Sequence, residues 1–126
     1  MAIALDHLII RVNDLGASVQ FYTEILGLHL EGSDGPFGVL RVSPDLTLQL
    51  APWQTEGNEH FAFALNAEEF ENVFKRLREA GIAYGDAFDR VGNMKGPGEE
   101  SGARGIGKAV YFFDPNRHLI EIRSYD

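Results

Sequence analysis

Asp6-His7-Leu8-Ile9-Ile10-Arg11-Val12-Asn13 returns later in the chain as Glu59-His60-Phe61-Ala62-Phe63-Ala64-Leu65-Asn66. Each stretch opens on an acid and a histidine, runs through an apolar segment of strand length, and ends on an asparagine. The helical segments that follow stay in register, with Phe21 matching Phe74. Such an internal repeat is the mark of one supersecondary unit used twice. If the copies pack about a pseudo-two-fold axis, the two histidines converge on one centre, where a metal can sit.

Alternation along the first copy puts Leu8, Ile10 and Val12 on one face and His7, Ile9 and Arg11 on the other. The first face suits packing against a helix; the second must line whatever the sheet curves around. Asn13 or Asp14 can cap a helix running to about Leu26, with Leu15, Val19, Tyr22 and Leu26 as its apolar stripe and Gly27 as its left-handed terminator. Three short strands fit residues 28–33, 36–42 and 45–51, separated by Gly32-Ser33-Asp34-Gly35 and Ser43-Pro44-Asp45. The order is β-α-β-β-β. The second copy repeats it: a strand from His60, a helix capped by Asn66 with Glu69 at capping-box spacing, and an apolar face of Phe70, Val73, Phe74 and Leu77 ended by Gly81. Strands follow near 82–86, 108–113 and 118–124. The halves are module one, 1–52, and module two, 59–126, joined by a linker at 53–58 into a single domain. The one large departure from the repeat is Val91 to Gly107, whose six glycines predict a long loop of the kind that serves as a lid or binding loop.

A chain of 126 residues can bury a sizeable core. The formal charge of −8 argues against nucleic acid or anionic membranes as partners, because both need a basic face. The absence of cysteine excludes disulfides, thiolate metal sites and cysteine nucleophiles. No apolar run approaches a membrane span, and the start of the chain lacks the basic residues of a signal peptide, so a cytoplasmic location is expected.

The last strands of the two copies align Gln49 with Glu121 and Trp53 with Tyr125. Gln49 lies opposite Leu48 and Leu50, and Glu121 opposite Ile120 and Ile122. A carboxylate flanked by isoleucines costs too much to bury unpaired, so Glu121 must be exposed, ion-paired or metal-bound. Pseudo-symmetry therefore relates four side chains, His7 and Gln49 from one copy and His60 and Glu121 from the other. Two imidazoles, a carboxylate and a neutral oxygen suit a divalent first-row ion (Fe, Mn, Ni or Zn) with positions left for substrate. His29 and His118 read as structural or exposed. Arg123, on the face of Glu121, either binds a substrate anion or pairs with that carboxylate. Phe37, Trp53 and Tyr125 can wall an apolar pocket, though core packing is the commoner use of such residues.

These residues resemble the vicinal oxygen chelate superfamily, which includes glyoxalase I, fosfomycin-resistance enzymes, extradiol dioxygenases, methylmalonyl-CoA epimerase and bleomycin-resistance proteins. The resemblance runs through Leu5-Asp6-His7, Phe21-Tyr22-Thr23-Glu24-Ile25-Leu26-Gly27 and Tyr111-Phe112-Phe113-Asp114-Pro115 to Glu121. It implies an α+β fold of two βαβββ modules forming a curved, mostly antiparallel eight-stranded sheet around a cup, and a homodimer. It places the metal ligands at His7, His60 and Glu121, with Gln49 at the fourth position used by glyoxalase I. The implied function is a metal-dependent enzyme that chelates the vicinal oxygens of a small substrate and stabilises an enolate-like or oxyanion intermediate. A glyoxalase-like lyase or isomerase is the first expectation, with Glu121 as possible general base and Arg11 resembling the arginine that takes a glutathione carboxylate. Gln49, Trp53 and Glu56 depart from that enzyme's pattern and speak against glutathione itself. An extradiol-type ring-cleaving dioxygenase is the alternative, with Tyr111 matching its active-site tyrosine. A fosfomycin-type transferase ranks lower, because Lys95, Ser101 and Arg104 match its loop only loosely. A metal-free binding protein of the bleomycin-resistance type is the remaining reading, and the acidic balance suits a cationic drug.

Overall fold

The first copy folds as β1 (His7–Arg11), α1 (Leu15–Glu24), β2 (His29–Asp34), β3 (Phe37–Ser43) and β4 (Leu46–Ala51). The second folds as β5 (His60–Ala64), α2 (Ala67–Glu79), β6 (Tyr84–Gly85), β7 (Gly98–Gly102), β8 (Gly105–Phe113) and β9 (Leu119–Ser124). This computed structural model describes residues 3–126 and divides the chain into two units, Met1–Glu56 and Gly57–Asp126. The α+β class that the resemblance implies is what the chain adopts.

In the first unit the strand order is β1-β4-β3-β2, with β1 parallel to β4 and the other neighbours antiparallel. Ile10, Leu40, Leu48 and Leu50 point to one side and are buried with Phe21, Tyr22, Ile25 and Leu26 of the α1 region. Fully burying side chains of that size contributes about 1.5–3 kcal/mol each. Asp14, rather than Asn13, caps α1 by accepting from Ala17 N–H at 3.0 Å. Gly38 sits under the helix, where an added Cβ would press on Leu15 and Val19.

The second unit has the order β5-β9-β8-β6, with β7 added on β8. Here β5 runs parallel to β9. Phe70, Val73, Phe74 and Leu77 of α2 are all buried, as their spacing predicted, beside Val110, Phe112, Ile120 and Ile122. The capping box is formed in both directions between Asn66 and Glu69.

Two differences from the expected architecture matter. Among the described residues there are nine strands in two sheets, the ninth because the glycine-rich segment is not all loop: Gly98–Gly102 pairs antiparallel with the start of β8, Gly102 opposite Gly105. Its glycines also let backbones outside the pair lie close against it. A Cβ at Gly98 would overlap the Asp86 carbonyl, and one at Gly107 the Ser124 carbonyl. The strand expected over 82–86 shrinks to Tyr84–Gly85, since Gly85 lies against the Arg90 carbonyl and the chain turns away there.

Candidate metal centre

Both copies set their histidine and their late-strand residue in the same register. His7 lies opposite Thr47 and Ile9 opposite Gln49; His60 lies opposite Leu119 and Ala62 opposite Glu121. Paired residues share a face, so His7 and Gln49 are on the open face of one sheet and His60 and Glu121 on the open face of the other. The repeat inferred from sequence is thus repeated in hydrogen-bond register.

In the second unit His60 Nε2 and Glu121 Oε1 are 3.0 Å apart. Two ligands bound at about 2.1 Å and roughly 90° to one another on one ion are separated by about that distance. Glu121 is only 5 % exposed, whereas His60 is about half exposed. The other carboxylate oxygen, Oε2, accepts from Arg123 Nη1. Tyr111 lies opposite Glu121 on β8, and its ring stands 6.2 Å from that of His60. Burial above all, then the charges of Glu121 and Glu100 and a hydrogen bond to Glu121, push the Tyr111 hydroxyl up to about 12. It therefore stays protonated and donates. Burial works against the Arg123 charge, but its hydrogen bond to Glu121 and the nearby carboxylate outweigh it and raise its pKa.

In the first unit His7 Nδ1 is 2.7 Å from Asp6 Oδ2. A histidine held in this way through one nitrogen presents the other to an ion. Asp6 was missed from sequence; its place immediately before the histidine was the available signal. Gln49 is half-buried on β4 and lines a hollow of about 570 Å³ with Asp6, Glu31, Asp34, Arg41 and Asp45. Arg41 is held there by both Glu31 oxygens, at 2.9 and 3.0 Å. Phe37 and Trp53 meet edge to face at 5.2 Å, and the Arg11 guanidinium lies 5.5 Å from the Trp53 ring centre. Arg11, Phe37 and Trp53 thus form one patch, with Trp53 exposed.

Among the described residues no group of three or more His, Cys, Asp or Glu side chains is close enough to hold an ion. The structure therefore joins His60, Glu121, Tyr111 and Arg123, and sets His7 and Gln49 on neighbouring strands of their own sheet. Of the alternatives for Arg123, pairing with Glu121 is the one formed. His118 is buried against Phe61, and its Nδ1 accepts from Glu59 N–H at 3.4 Å, which makes it structural as expected. His29 is exposed at the start of β2. Lys95, Ser101 and Arg104 are exposed, and Ser101 faces away from the side of β7 on which Gly102 meets Arg123.

Residues 4–122 match the model of the Glyoxalase/Bleomycin resistance protein/Dioxygenase superfamily. The chain belongs to this superfamily. It is 32 % identical over 126 residues to "Glutathione transferase FosA" of Serratia marcescens, covering 94 % of this chain and 79 % of that one. It is 26 % identical over 133 residues to "Fosfomycin resistance protein FosX" of Listeria innocua, covering 98 % and 91 %. Among solved structures, "Oxidase ChaP-H2" superposes with a TM-score of 0.84 at 29 % identity, covering 100 % of this chain and 96 % of that one. Relatives named for fosfomycin resistance thus stand beside an oxidase, although loop residues alone ranked the transferase low. Similarity spread over the whole chain outweighs a loosely matched loop, and it reports fold and ancestry more firmly than chemistry.

Proposed function

We propose that this chain is a metal-dependent oxidase of the superfamily, acting on a small substrate with two adjacent oxygens. His7, His60 and Glu121 are the proposed ligands of a divalent first-row ion, Gln49 the candidate fourth, and a homodimer the proposed working unit. The observation that carries the reading is the Glu121 carboxylate, buried with one oxygen fixed by Arg123 and the other 3.0 Å from His60 Nε2. A divalent ion here would chelate the two substrate oxygens and stabilise negative charge developing on them.

The chain's own residues favour one reaction type over the others. A glyoxalase-like lyase needs a base that leaves its metal bond to take a proton. Glu121 is held by a buried arginine and lies beside Tyr111, an arrangement that suits a fixed ligand more than a side chain that swings away to take a proton. Tyr111 holds its proton and would orient a substrate oxygen beside the ion. The Arg11–Trp53–Phe37 patch offers a flat apolar wall with one cation, suited to an aromatic or enediol substrate bearing a negative group. The exposed Lys95, Ser101 and Arg104 give less support to a phosphonate substrate, and the similarity to an oxidase points the same way.

Protein purified without chelator and reloaded with Fe(II), Mn(II), Ni(II) or Zn(II) should consume dioxygen with catechol-type substrates only when Fe(II) or Mn(II) is bound. His60→Ala should abolish both metal retention and uptake. Oxygen-independent conversion of a hemithioacetal would instead establish the lyase, and a thiol adduct of fosfomycin the transferase. Metal-independent binding of a cationic drug, which the acidic hollow around Asp6, Glu31, Asp34 and Asp45 would accommodate, would replace the enzyme reading altogether.

A further inference from the structure

We propose that Arg123 is a positioning residue that couples the β7–β8 hairpin to the carboxylate of Glu121, an inference that rests on Glu121 being a metal ligand. Arg123 is 3 % exposed. Its Nη1 donates to Glu121 Oε2, while Nη2 donates to the carbonyls of Glu100 at 2.9 Å and Gly105 at 3.4 Å. Those carbonyls lie on the two strands of the hairpin. Gly102, on the strand between them, packs so closely that a Cβ would overlap the guanidinium carbon. On another side the Tyr125 ring lies 4.7 Å away, and its hydroxyl accepts from Arg104 N–H at 3.2 Å. One rigid planar group therefore touches the hairpin at one end and the carboxylate at the other.

Stability alone does not explain this arrangement. Arg123 Nε is buried without a hydrogen-bond partner, a cost that an apolar side chain would avoid. Buried ion pairs can generally be replaced by apolar residues without loss of stability. What such residues could not do is transmit the hairpin's position to Glu121. A hairpin seated on Nη2 fixes the plane of the fork, and the fork fixes which carboxylate oxygen faces His60. A hairpin lifted from the sheet releases it.

Zn(II) titration of the chelator-treated full chain by calorimetry tests the coupling. Gly102→Val, whose added Cβ would displace the Arg123 guanidinium from the hairpin without removing its charge, should weaken Zn(II) binding about 10–100-fold, the range seen when groups that orient a ligand are disturbed. Arg123→Lys, which keeps the charge but not the fork, should weaken it similarly, while Ser101→Ala on the outer face should leave it unchanged. In hydrogen exchange, Zn(II) should slow the Glu100–Gly105 amides of the wild type and not those of Arg123→Lys. If Gly102→Val fails to fold, Arg123→Lys and the exchange pattern decide the matter. Wild-type affinity in the folded variants, or hairpin exchange indifferent to Zn(II), overturns the coupling alone. A wild type that binds no Zn(II), Mn(II) or Fe(II) overturns the metal reading and this inference with it.

Discussion

Three groups meet the Glu121 carboxylate between Ile120 and Ile122: the Arg123 fork, the His60 ring and the Tyr111 hydroxyl. Removing one member of such a set costs more than removing the pair. Glu121→Gln should destabilise the protein by about 3–5 kcal/mol, because it strands a buried guanidinium, while Glu121→Leu with Arg123→Met should be neutral or stabilising by about 1–4 kcal/mol. Urea unfolding of the two variants checks this, and equal losses would show the ion pair to be a net source of stability. Tyr111 gives a separate test. Its folded pKa, about 12, lies above the ordinary tyrosine value, so its neutral form is favoured by folding. Its contribution to stability is complete below about pH 10 and is lost as pH climbs through about 12. Ultraviolet titration should show one phenol ionising late, and Tyr111→Phe should remove that step. That Glu121 needed a partner was legible from its isoleucine neighbours, and Arg123 was one candidate; that the pair forms was not, since Arg123 could equally have been turned to a substrate anion.

Helix α2 shows how far an element can be read in isolation. Its four apolar positions, its capping box and its glycine stop are all local in sequence, and all are realised. Asn66→Ala should cost about 1 kcal/mol by removing the cap. Phe74→Ala should cost about 3–5 kcal/mol by leaving a cavity beneath Tyr84, whose ring stacks edge-on at 5.1 Å. Thermal melts of both should keep that order; a cap variant as damaging as the core variant would contradict it. The β7 hairpin shows the opposite case. Gly98-Glu99-Glu100-Ser101-Gly102 has no apolar alternation, so nothing local marks it as a strand. Its partner does. Pairing with β8 supplies the hydrogen bonds, and the glycines give the backbone room to lie against Asp86 and Arg123.

At the scale of the whole chain, ligand linkage gives the clearest expectation. An ion that binds only the folded state stabilises it by about 2.7 kcal/mol when its free concentration is a hundredfold above the dissociation constant. Adding the preferred metal should therefore raise the melting temperature of the wild type. It should raise that of His7→Ala much less, although His7 is about half exposed and its loss should hardly change the metal-free melt. A metal-induced shift unchanged in His7→Ala would remove that residue from the ligand set. The charge of −8 sets the background, favouring cations in general, so the comparison belongs at physiological salt, where distant carboxylates are screened. None of the described helices is long and apolar enough to cross a membrane.

The sequence by itself determined the duplication, the alternation that splits each strand into a core face and an open face, and the register that gives both histidines the same place in their sheets. These are local, periodic properties, repeated often enough along the chain to be counted. Only the tertiary structure decided that Asp6 orients His7, that Arg123 turns inward to Glu121, and that a run of glycines becomes a strand. Each of these depends on where one polar group or one bare backbone finds its partner. A single hydrogen bond leaves no period in the sequence from which it could be read.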